Sequence, residues 1–194
     1  MKINPVFVKP KEITGNNLVF LNATVADAAF ILELRTDTDK SKYISKTQPD
    51  INQQISWLER YSNDESQAYF IIQNKDKENI GTVRLYDPQG ESFCWGSWIV
   101  KAGCPASFSI ESALIVYHFA LSLGFRSAHF EVRKGNCSVW KFHERFGAVR
   151  VRESVDDYFY TIGLEAIKGS LKRYGQFLPH GISLSKTEGR EKHE

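Results

Sequence analysis

The stretch Asn136-Cys137-Ser138-Val139-Trp140-Lys141-Phe142-His143-Glu144-Arg145-Phe146-Gly147-Ala148 decides how this chain folds. It follows Ala128-His129-Phe130-Glu131-Val132-Arg133, which reads as a buried strand with Ala128, Phe130 and Val132 on one face and His129 and Glu131 on the other. The helical pattern stops at Gly147, a residue suited to ending a helix. Positions 136, 140 and 143 are spaced i, i+4 and i+7, so Asn136, Trp140 and His143 share one helix face. An amide, an indole and an imidazole beside a strand end predict a ligand-facing strip.

Working outward, 194 residues suit one domain with a real core, and 42% hydrophobic and 25% charged residues are ordinary for a globular protein. No apolar run approaches a membrane span, and the N-terminus lacks the apolar core of a signal peptide. Cys94, Cys104 and Cys137 are three, with no Cys-x-x-Cys spacing, so a reduced cytoplasmic setting without disulfides or metal is expected. A formal net charge of +2 with scattered basic residues argues against nucleic acid as a partner.

Residues 1–16 read as a lead-in, with a short strand at 5–8, and Leu18 to Leu21 as a strand. Thr24-Val25-Ala26-Asp27 has capping-box spacing and opens a helix to about Arg35. Thr36 to Pro49 is polar and reads as loop, and Asp50 caps a second helix carrying Ile51, Ile55 and Leu58. Strands follow at 68–72, 80–86 and 92–100, with a turn at Asp87-Pro88-Gln89-Gly90, and Gly96 inside the third marks a bulge or a close approach of another chain or ligand. A loop over 101–109 leads to an apolar helix over 110–123. After the strand and helix described first come two strands, 149–152 and 158–164, and a last helix with a polar tail. The domain is placed at 17–165 and the C-terminal helix and tail at 166–194. The fold class is α/β (α+β): a mixed, mostly antiparallel central sheet with helices on both faces.

That order, together with Asn136, Val139, Phe142, His143, Glu144, Arg145 and Gly147, resembles the GNAT superfamily of acyl-CoA N-acyltransferases over roughly Leu18 to Leu164. Trp57-Leu58-Glu59 is similar to the ribosomal-protein-type branch. The resemblance implies acetyl-CoA as cosubstrate, no metal, and transfer of an acetyl group to an amine. It implies that Asn136 bonds the pantetheine arm and that backbone groups of Ile99 and Val100 pair with pantetheine amides. His143 stands where many members carry Tyr, a general acid for the leaving thiolate; Trp140 packs on the cofactor side of its helix or in the core. Glu131, or His129, is the candidate base.

The resemblance also puts the pyrophosphate loop at Gly103-Cys104-Pro105-Ala106-Ser107-Phe108-Ser109-Ile110-Glu111-Ser112, where the usual Arg and small residues are missing. A helix N-terminus beginning near Ile110 still presents free N–H groups to phosphate. Ser107, Ser109 and Ser112 add hydroxyls; Phe108 opposes close backbone approach, and Glu111 repels phosphate if aimed at it. The serine-rich loop and the 143–148 segment are similar to a bacterial subgroup of surface-polysaccharide biosynthesis, which points to a small-molecule amine acceptor, an amino-sugar nucleotide. A protein N-terminus or a small amine stays open as acceptor, as does a non-catalytic CoA-sensing or protein-interaction role. Closing strands in this family often mediate dimers, so a homodimer is allowed for.

Overall fold

The computed structural model describes residues 4–37, 43 and 47–185; the loop expected over 36–49 and the polar tail fall largely outside them. The described strands are β1 Glu12–Thr14, β2 Leu18–Asn22, β3 Ala68–Asn74, β4 Asn79–Gln89, β5 Ser92–Val100, β6 Ser127–Arg133, β7 Val149–Glu153, β8 Asp157–Gly163 and β9 Ser183–Leu184. The helices are α1 Ala28–Thr36, α2 Ile51–Ser62, α3 Ala106–Ser122, α4 Cys137–Arg145 and α5 Leu164–Arg173. The strands form one sheet in the order β7-β8-β6-β5-β4-β3-β2-β1-β9. Every neighbouring pair is antiparallel except β5 and β6. The expected fold class, mixed and mostly antiparallel, is the one observed. No described helix is long and apolar enough to cross a membrane.

Local chemistry starts these elements where the residues dictate. The Asp50 carboxylate accepts from the N–H groups of Asn52 (2.9 Å) and Gln53 (3.4 Å), capping α2. Asp27 takes the Thr24 N–H at 2.8 Å, closing the short 3-10 turn that leads into α1. Gly147 adopts φ +93°, and Ala148 N–H reaches back to His143 O at 3.0 Å, so α4 ends at the glycine.

Three expectations shift. The lead-in strand forms at Glu12–Thr14, not at 5–8, while Phe7 packs its ring on Phe125 at 4.9 Å. Helix α3 begins at Ala106, because Pro105 presets φ −55° at the N-cap; Ser107, Phe108 and Ser109 are therefore helical. Strand β4 runs on through Asp87, which takes φ +51° in a bulge, and the hairpin turns at Gly90.

The sheet separates two apolar layers. Phe70, Val83, Leu85, Phe93 and Trp95 pack with α3 on one face. Tyr69 and Ile71 pack with Ile31 of α1 and Leu58 of α2 on the other. Strands β5 and β6 pair only at Ser92–Ser127 and Phe93–Ala128, although β6 stays paired with β8 along its whole length. The sheet thus splits into a V toward Val100 and Arg133. Strands β4 and β5 stay in contact beside it, where a Cβ on Gly81 would lie 2.2 Å from Ile99 O. Gly81→Ala is accordingly expected to cost about 1–3 kcal/mol, read as a lower urea midpoint; an unchanged midpoint would contradict this close approach.

Candidate active site

Beside the split, β5 is bulged. Thr82 opposes Ile99 and Arg84 opposes Gly96, so Ser97 and Trp98 together face Val83. Ser97 adopts φ +45°, a left-handed conformation unusual for a residue with a side chain. Buried Thr82 holds it, donating its hydroxyl to Ser97 O at 2.9 Å. Such strain persists where the surroundings enforce it and clusters at functional sites. The bulge expected at Gly96 falls one residue on: Gly96 stays paired with Arg84, where a Cβ would come within 3.2 Å of Tyr86 Oη. Consecutive residues consequently look into different cavities: Trp98 to the α3–α4 side, Ser97 to the α1–α2 side.

The first cavity, about 580 Å³, lies between the ends of β5, α3 and α4. Trp98 and Val100 form one wall, Ala106, Ser109 and Ile110 the start of α3, and Ser138, Val139, Phe142 and Arg145 the α4 wall, with Phe146 and Tyr174 beyond. No described side chain caps α3; Phe108 N–H turns back to Pro105 O at 3.0 Å, which leaves the N–H groups of Ala106 and Ser107 and the positive dipole end for this cavity. Trp98 Nε1 donates to Ser112 Oγ at 3.1 Å, and that hydroxyl donates to Ser109 O at 2.9 Å. Its ring also leans on Trp95 and Phe142, 5.2 and 5.0 Å between centroids.

Of the residues expected to bind cofactor, Val100, Ser109 and Ile110 line this cavity. Ile99 is buried, Ser112 acts by orienting Trp98, and Phe108 packs on the core without lining the cavity. Ser107 is half-buried in the first turn of α3, outside the lining. Glu111 does not face phosphate: it is 1% exposed, and its carboxylate accepts from Asn16 N (2.8 Å), Asn17 N (2.6 Å), Leu18 N (2.9 Å) and Asn17 Nδ2 (3.0 Å).

The strip on α4 turns out differently from the expectation. Asn136 sits at the N-cap without a side-chain cap bond and does not line the cavity. Trp140 donates to Lys134 O at 3.2 Å and meets Tyr158 edge-on, away from the cavity. Ser138, Phe142 and Arg145, also spaced i, i+4, i+7, face the cavity instead. His143 is 4% exposed among Phe130, Trp95 and Phe142, with ring centroids at 4.1, 5.0 and 5.8 Å. Its Nδ1 has no partner among the described residues, and burial pushes its pKa down to about 3. His143 stands outside the cavity lining, its ring 6.1 Å from that of Trp98, and a neutral imidazole is a far weaker acid toward a thiolate than the imidazolium expected of a general acid.

The second cavity, about 620 Å³, opens on the other face of the sheet, walled by Arg35 of α1, Asn52, Gln53, Trp57 and Arg60 of α2, Tyr69, Arg84 and Ser97. Arg35 Nη1 donates to Ser97 Oγ at 3.2 Å and its Nε to Thr47 Oγ1 at 2.6 Å, tying this cavity to the bulge. No motif in the sequence marks these arginines. Glu131 lies exposed on the same face of the sheet, near enough to Tyr86 and Cys94 to help raise their pKa values, behind the larger effect of burial.

Comparison with known proteins places this geometry. Residues 17–149 match the acetyltransferase (GNAT) domain family. Among solved structures, apo FdhC, described as a nucleotide-linked sugar GNAT, is 36% identical, covers 92% of this chain and 99% of its own, and superposes with a TM-score of 0.76. A GCN5-related N-acetyltransferase from Brucella melitensis shares 14% identity over 92% of this chain and 90% of its own, TM-score 0.72. Spermidine N-acetyltransferase from Vibrio cholerae, solved with CoA and spermine, shares 15% over 78% of this chain and 98% of its own, TM-score 0.70. The last two show the fold alone. The comparison with curated proteins gave no match.

Proposed function

Because this chain belongs to the acetyltransferase (GNAT) family, we propose that it transfers an acetyl group from acetyl-CoA to a primary amine on a nucleotide-linked sugar. The observation that carries the reading is the meeting of two cavities at Ser97–Trp98. The acceptor class rests on the likeness to the nucleotide-linked sugar enzyme.

The residues present suit the cosubstrate. The uncapped N-terminus of α3 offers dipole and N–H groups for a diphosphate, with Ser109 beside it and Arg145 on the facing helix. The split between β5 and β6 leaves strand-edge groups near Val100 for an extended amide-bearing arm. Acetyl-CoA supplies the activated acetyl group as a thioester. In the transfer, the acceptor nitrogen forms the new C–N bond and the C–S bond breaks. The bulge at Ser97–Trp98 directs backbone polarity at the oxyanion between them. The ammonium gives its first proton to solvent, because no described residue lining the acceptor-side cavity is Asp or Glu; the second, shed as the adduct collapses, ends on sulfur. His143 takes no part in this sequence.

Millimolar acetyl-CoA is expected to raise the melting temperature, because a ligand bound only by the folded chain at about 100 times its Kd adds roughly 2.7 kcal/mol. Thiol release with nucleotide-linked amino sugars then measures transfer. No thermal shift at millimolar acetyl-CoA would defeat the reading; a shift without thiol release from any amine would leave a CoA binder and remove the enzyme.

A further inference from the structure

We propose that the cavity between α1, α2 and the β5 bulge seats a nucleoside diphosphate, with Arg60 and Arg84 as its guanidinium ligands and Tyr69 as a hydrogen-bond donor. The inference rests on the acceptor-side reading above and adds where the acceptor's anionic portion lies. Three lining residues are arginines (Arg35, Arg60 and Arg84), several others are amides, and no described lining residue is Asp or Glu. An amine acceptor is itself a cation. Such a wall repels a bare polyamine and admits an amine only when the same molecule carries a larger negative charge.

Arg84 is placed as an anion ligand. Its guanidinium lies over the rings of Tyr86 (4.7 Å) and Trp57 (5.3 Å), which fixes its plane. Its Nε donates to Gln67 Oε1, and neither Nη has a hydrogen-bond acceptor among the described residues. Burial, above all, and the charge of Arg35 lower its pKa, whereas Tyr86, Tyr69 and Asp64 act the other way. The Asp64 carboxylate is committed to Ser66 and Gln67. The charges of Arg35 and Arg84 are near enough to interact, and with Arg60 on the same cavity wall they suit a doubly charged anion, which guanidinium forks match bidentately.

Tyr69 supplies an independent pointer. It is 2% exposed and lines the cavity; its Oη makes no hydrogen bond of full geometry with a described residue, and Arg35 and Thr82 stand near enough to interact with it. Burial raises its pKa, against the opposing pull of Arg35 and Thr82, so the phenol stays protonated and able to donate. A buried hydroxyl held only by such loose contacts can turn its proton to a ligand in the cavity. The cavity volume of about 620 Å³ is within the range of small-molecule sites.

The test is calorimetric titration of the full chain with uridine 5′-diphosphate and thymidine 5′-diphosphate, in saturating CoA so that the cofactor's own diphosphate site is blocked. Binding is expected, weakening as salt rises, with Arg84→Gln and Arg60→Gln each reducing affinity roughly tenfold or more and CoA affinity unchanged. Spermine is expected not to bind. Absence of diphosphate binding, or unchanged affinity in Arg60→Gln, would overturn the proposal. Arg60 is exposed, so that variant decides the matter even if Arg84→Gln fails to fold. Should CoA itself not bind, the acetyl-transfer reading falls, and the same titration without CoA still decides the diphosphate site.

Discussion

Glu111→Ala is expected to destabilise the protein by on the order of 3–5 kcal/mol, a large part of the 5–15 kcal/mol that holds a typical domain together. The reason is arithmetic on one carboxylate. It is 1% exposed and accepts three consecutive backbone N–H groups, from Asn16, Asn17 and Leu18, at the bend joining β1 to β2. Alanine strands all three donors where water does not reach freely. The bend is also tight: a Cβ on Gly15 would fall 2.9 Å from Glu111 Oε1 and 2.7 Å from Ile115 Cδ1, leaving no room for a replacement side chain from the loop. Glu111→Gln keeps one carbonyl-type acceptor and is expected to lose less, because its new amide clashes only with the Asn17 Nδ2 donor. Urea unfolding followed by circular dichroism measures both variants. A loss below about 1 kcal/mol for Glu111→Ala would mean that these amides find other partners.

The second large effect is on pH. His143 is held neutral in the folded protein, with its pKa lowered from 6.5 to about 3 by burial, and is free to protonate once unfolded. Between those values the unfolded chain binds the extra proton, so acid favours unfolding. Stability from this group is therefore complete above about pH 6.5 and drains away as pH falls toward 3, by about 1.4 kcal/mol per pH unit once the unfolded side chain is charged. His143→Phe keeps a ring in the aromatic cluster, removes the orphaned Nδ1, and is expected to flatten the acid limb between pH 6 and about pH 4.5 relative to the parent. Asp64, held below the ordinary carboxylate range chiefly by Ser66, and Asp87, held low chiefly by His129, add their own acid losses to both proteins, so the difference between the two isolates position 143. Equal slopes would refute the neutral buried state. Turnover supplies a separate readout: a drop beyond about a hundredfold in His143→Phe would return the imidazole to proton transfer.

Much of the architecture could be read from the chain because its signals are local. Asp50 before Ile51 caps α2, and Gly147 ends α4 with a positive φ. The alternation over 128–132 matches the buried and exposed faces of β6. The start of α3 was harder, since Ser107 and Ser109 favour turns while the decisive residue, Pro105, serves both to end a loop and to begin a helix. For the site, periodicity identified that Asn136, Trp140 and His143 share a face, but a helix's spacing does not say which way that face looks. Packing on Phe130 and Tyr158 turned it, and the neighbouring row through Phe142 meets the cavity. The arginines were invisible for another reason. Arg35, Arg60 and Arg84 come from three separate elements, and only the folding of α1 and α2 over β4 gathers them.

The strained peptide at Ser97 has a kinetic corollary. Since the two compartments share no lining residue and each opens to solvent on its own side of the sheet, neither substrate has to pass the other on its way in. Geometry therefore imposes no obligatory sequence of addition: either partner can arrive first and wait for the other at the one place, beside Ser97 and Trp98, where the two compartments come together.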